Sequence, residues 1–105
     1  MTRDPDIVRQ LKKFYSESGI LLSRTVTNDD DYARLESDAR TFYHTTRAWI
    51  AENMEQSSLR RFEDTRIRVP YRHPRPRDDN HQNLLNALSI YHQNLQALID
   101  SDAWR

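Results

Sequence analysis

Cysteine is absent from this 105-residue chain. Disulfides and thiolate metal sites are excluded with it, and the redox compartment is left open. Glycine occurs once, at Gly19. A phosphate-cradling loop and a dinucleotide turn each need several glycines, so both are excluded. The Gly-x-Ser-x-Gly elbow of a serine hydrolase is missing for the same reason. The longest aliphatic run is Ile20-Leu21-Leu22. That falls far short of the roughly 20 residues of a membrane span, and short of a signal-peptide core. The expectation is a cytoplasmic protein with no membrane contact. Apolar residues are also scarce, at 36% against a usual share of about 45–50%. A domain this small buries only about 60–70% of its unfolded surface. A second copy of the chain, forming a homodimer, is therefore one expected partner.

Charge is what the chain has in quantity, at 30% of residues with a net charge of zero. It is unevenly placed. Residues 57–77 hold seven arginines against Glu63 and Asp64, a net +5, so the remainder carries −5. Of the 16 basic residues only Lys12 and Lys13 are lysine. Coding bias explains such a preference blandly; the functional explanation is that guanidinium was chosen for bidentate or stacked contacts.

The apolar pattern is helical, and the expected fold class is all-α, one domain over residues 1–105. Tyr32, Leu35, Ala39, Phe42, Tyr43, Thr46, Trp49, Ile50 and Met54 recur at gaps of three and four, one face of a helix over about 29–56. Thr27 or Asn28 caps it, and Asp29-Asp30-Asp31 suit its positive end without any metal ion. Asp4-Pro5-Asp6 starts an earlier helix of about 5–18, with Gly19 as a left-handed closing residue. The competing reading carries that helix on through Leu21 and Leu22, because the helical spacing persists. Leu84, Leu85, Leu88, Tyr91, His92, Leu95, Leu98 and Ile99 mark a third helix of about 79–100. Two long seams suit antiparallel packing, with Leu35, Phe42, Trp49, Ile50, Leu84, Leu88, Leu95 and Leu98 as the core. A faint likeness between residues 39–44 and 87–92, ending in Tyr-His each time, would set His44 near His92 in such a pair.

Between the long helices lies the connector 57–77. Ser57 or Ser58 caps a short turn carrying Leu59 and Phe62. Residues 65–72 alternate polar and apolar, a strand signal that Pro70 cuts to a short edge strand at most. His73-Pro74-Arg75-Pro76-Arg77 is extended, since each proline drives its predecessor out of helical geometry.

The four histidines show neither the i,i+4 spacing of a zinc helix nor a Glu-x-x-His pair. No metal and no cofactor is expected. Arg68 and His73 do have the Arg-x4-His spacing of some all-helical, metal-independent ribonucleases of the HEPN type. That resemblance implies a ribonuclease as a remote alternative, although the family carries its pair on a helix and Pro70 and Pro74 bracket this one. The stronger signal is Arg60, Arg61, Arg66, Arg68, Arg72, Arg75 and Arg77 interleaved with Phe62, Tyr71 and His73. Guanidinium groups neutralise carboxylates or phosphates, and rings stack on bases. The expected function is a non-enzymatic protein-binding or regulatory module, an adaptor or inhibitor, contacting an acidic partner surface through residues 59–77. The alternative is nucleic-acid binding through the same residues. A pI near 6.9 argues against a general nucleic-acid coat.

Overall fold

A computed structural model describes residues 5–64 and 78–100. The Asp4 cap, the edge strand, the extended part of the connector and the tail after Asp100 lie outside them. The described residues form four helices and no strand: α1 (Pro5–Ser23), α2 (Asp29–Asn53), α3 (Gln56–Glu63) and α4 (Asp79–Asp100).

Helix α1 runs past the expected stop at residue 18. Gly19 does not adopt the left-handed conformation, and the buried residues Leu11, Phe14, Ser18, Leu21 and Leu22 keep one face apolar to the end. The helix stops where β-branched Thr25, Val26 and Thr27 take over, as their stiff side chains disfavour another turn. Asn28 then caps α2: its Oδ1 accepts from the Asp31 N–H at 2.8 Å. Asp31 answers by accepting from the Thr27 N–H at 3.1 Å and the Thr27 hydroxyl at 2.8 Å. This is reciprocal capping, and it gives the third aspartate of the triple its work. Asp78 caps α4 likewise, accepting from the His81 N–H at 2.8 Å.

Helix α2 ends at Asn53 rather than 56, because Met54 and Glu55 are both extended. The expected short turn is a separate eight-residue helix, α3, with no side-chain hydrogen bond at its cap residue Glu55. It reverses the chain: Glu63 pairs with Arg47, and Phe62 lies 6.0 Å from Tyr43, ring centre to ring centre.

That reversal corrects the expected topology. Asp78 lies close enough to Tyr32 to raise its phenol, after burial and Glu36. Tyr43 meets Tyr91 at 4.9 Å. Residues 32 and 43 thus match 78 and 91 in the same order, so α2 and α4 run parallel. The antiparallel partner of both is α1. Arg24 bonds Asp38 at 2.6 Å while Phe14 meets Trp49 edge-on at 5.6 Å. Ser18 bonds His92, and Val8 and Lys12 lie by Gln96, Ile99 and Asp100.

Helix α1 is therefore central. It supplies Leu11, Phe14, Leu21 and Leu22 to the core, as many buried apolar side chains as α2 gives in Leu35, Ala39, Phe42 and Ile50. Of the expected core, Trp49 and Leu84 are only partly buried. Each fully buried leucine, isoleucine or phenylalanine is worth about 1.5–3 kcal/mol of transfer from water.

The one glycine sits mid-helix, where it costs about 0.5–1 kcal/mol relative to alanine. A Cβ built on it would stand 3.5 Å from His92 Cε1, an ordinary contact. Gly19→Ala is expected to raise the unfolding free energy by about 0.5–1 kcal/mol, read as a higher urea midpoint at constant slope.

Candidate functional site

Of the nine expected binding residues, only Arg60 and Arg61 fall on described chain. Both are exposed in the last turn of α3, where cations suit the negative end of the helix. Arg66, Arg68, Tyr71, Arg72, His73, Arg75 and Arg77 lie in residues 65–77, outside the described residues. The base of that segment is pinned from two sides. On one, Arg47 of α2 holds Glu63. On the other, Asn94 of α4 donates to the Phe62 carbonyl at 3.0 Å and to the Asp64 carbonyl at 2.7 Å.

The ion pairs among described residues join Arg9 to Asp6, Arg24 to Asp38, Arg40 to Glu36 and Arg47 to Glu63. Every arginine in that set lies outside the basic segment. Three of the four pairs have at least one half-exposed partner, so each is worth little to stability. Their consequence is local neutralisation of the helical body.

Phe62 is not available to a ligand. It is fully buried and stacked on Tyr91 at 5.2 Å and 29°, with Tyr43 on the other contact. The expectation that it alternates with the arginines as a stacking ring is overturned by the burial of α3's apolar face. The tyrosines feel the same burial, which raises the Tyr91 phenol above its usual value, with Tyr43 as the next cause.

The histidines go different ways. His44 is exposed and edge-on to Tyr43 at 5.3 Å. His92 turns to α1, where its ring stacks on Tyr15 at 4.0 Å and 16°. Ser18 Oγ gives its one proton to the Tyr15 carbonyl at 2.8 Å. It then accepts from His92 Nδ1 at 2.6 Å, which assigns the proton to Nδ1. Ser18 is fully buried, so this pair is a clasp between helices and not a nucleophile with its base. The signal that could have located it is the sole glycine inside a helical pattern, one residue after Ser18.

Burial pushes the His92 imidazole below its usual value, with a smaller upward pull from a hydrogen bond to the Tyr15 backbone. The unfolded chain then binds a proton more readily than the folded one. His92's contribution is complete above the unfolded value of about 6.5 and is lost as pH falls through the depressed folded value. Stability is expected to drop on acidification below about pH 6.5, and His92→Gln is expected to flatten that slope in urea titrations against pH.

No three His, Asp or Glu side chains converge on a metal-sized site among the described residues. No helix among them is long and apolar enough to cross a membrane. The comparisons add no relative: no family model, no curated protein and no solved structure matches this chain.

Proposed function

We propose that this chain is a non-enzymatic, cytoplasmic protein-binding module, an adaptor or inhibitor. Its basic segment, Arg60 and Arg61 through Arg66, Arg68, Arg72, Arg75 and Arg77, docks on an acidic partner surface, with Tyr71 and His73 adding ring contacts. The observation that carries this is the charge division, +5 in residues 57–77 against −5 in the rest. It is supported by the way the helical body pairs its own arginines with nearby acids, while Arg60 is exposed and makes no ion pair among the described residues. Nucleic acid is the second reading, and the burial of Phe62 counts against it by removing one of three rings from base stacking.

The deciding experiment titrates a labelled glutamate-rich peptide and a labelled single-stranded RNA of equal charge, by anisotropy at low and physiological salt. The peptide is expected to bind, and the triple variant Arg66→Glu, Arg68→Glu, Arg72→Glu to bind at least about tenfold more weakly, or about 1.4 kcal/mol. RNA binding with a salt slope and no peptide binding would replace this reading with the second. Silence from both ligands at low salt would sink it.

A further inference from the structure

We propose that the face of α1 and α2 centred on Ile20 is a two-fold contact with a second copy of this chain. Ile20 is 64% exposed, the one large hydrophobic side chain so exposed among the described residues. Its apolar neighbours on α1 all turn inward. Beside it, between α1 and α2, lies a shallow depression of about 390 Å³. Leu21, Phe42, Thr41 and Thr45 line it, together with the charged Glu17, Arg24 and Asp38. Ile20 also lines the depression, so one face carries both features. Under a two-fold axis at Ile20 the two copies' Ile20 side chains meet and their depressions adjoin on either side of the axis, an isologous contact.

The charges point to the same partner. Glu17 lies three residues before Ile20 and Arg24 four after it. In an antiparallel crossing of α1 on its copy with the axis at Ile20, each Glu17 faces the partner's Ser23, the last residue of α1, and Arg24 follows it directly. Glu17 makes no ion pair among the described residues. Arg24 gives one N–H to Asp38, and its fork has donors left for a second carboxylate. Another protein would have to supply its own matching knob, acid and base; a second copy already has them. The contact uses nothing from residues 57–77, so it stands or falls apart from the proposed function.

The absence of native cysteine makes the test direct. Ile20→Cys introduces a single thiol on the axis, and Ser57→Cys a single exposed thiol away from it. Under mild oxidation Ile20→Cys is expected to form a disulfide-linked dimer, while Ser57→Cys stays largely monomeric. Sedimentation equilibrium of the unmodified chain is expected to show dimer, and Ile20→Arg to weaken association at least about tenfold without change in the circular-dichroism melt of the monomer. The proposal is overturned by a monomer at every concentration up to hundreds of micromolar. It is equally overturned by Ile20→Arg associating as the unmodified chain does, or by equal crosslinking at positions 20 and 57.

Discussion

Phe62→Ala is expected to lower the unfolding free energy by about 3–5 kcal/mol, a large part of the about 5–15 kcal/mol available to a domain. The ring is fully buried on the shortest helix and touches both Tyr43 of α2 and Tyr91 of α4. These aromatic contacts join the two parallel helices, whose own direct contact is slight. Removing the ring leaves a cavity where α2, α3 and α4 converge, and α3 is too short to hold its place by backbone propensity alone. The loss should appear as a lower urea midpoint and the early appearance of exchange at α3 amides. A ring kept for ligand contact would behave oppositely: the variant would fold as stably as the parent and lose affinity. Equal stability of Phe62→Ala and parent would therefore refute both the packing and the exclusion of Phe62 from the binding surface.

How much of this was legible beforehand differs by helix. The seam of α2 was readable residue by residue, because Leu35, Ala39, Phe42, Thr46 and Ile50 recur at helical gaps and all are buried. The end of α1 was ambiguous, since a lone glycine reads as a closing residue or as an interior one. Only the burial of Leu21 and Leu22 decides. The break after Asn53 was legible only as a short turn starting a few residues late, at Ser57 or Ser58: Met54 and Glu55 include neither glycine nor proline, and the cap of α3 makes no side-chain bond. The parallel course of α2 and α4 follows from that break, because an amphipathic seam specifies which face is buried and not which way the chain runs. The site is less legible than the fold. Periodicity assigned Phe62 to a short turn but charge patterning assigned it to the binding segment, and packing decided for the former. Spacing along α4 put His92 on the inward face, but its seat against Tyr15 and Ser18 of α1 is a tertiary event that spacing could not reveal.

Asn94 carries the other large effect. It is buried in the second turn from the end of α4, a helix otherwise apolar on that face, and its amide donates to the carbonyls of Phe62 and Asp64. The last carbonyls of a helix have no partner within it, and here a side chain from another helix supplies the donors. Asn94→Leu keeps the branched four-atom skeleton, adds some bulk and removes them. It is expected to cost about 2–3 kcal/mol, because unsatisfied carbonyls are left in a poorly hydrated place. Asn94→Asp is the sharper variant: a carboxylate of the same shape would face two carbonyl oxygens. Its folded-state carboxyl should titrate above the unfolded value of about 3.9. The sign then follows. The unfolded variant releases its proton first, so the penalty grows as pH rises above about 4 and shrinks as the carboxyl is protonated and can donate again. Urea titrations at acid and neutral pH should show Asn94→Asp recovering part of its loss in acid relative to the parent, while Asn94→Leu recovers none. Parallel pH profiles for the two variants would mean that α3 is not held by this amide, and the anchoring of the basic segment at Asp64 would lose its structural cause.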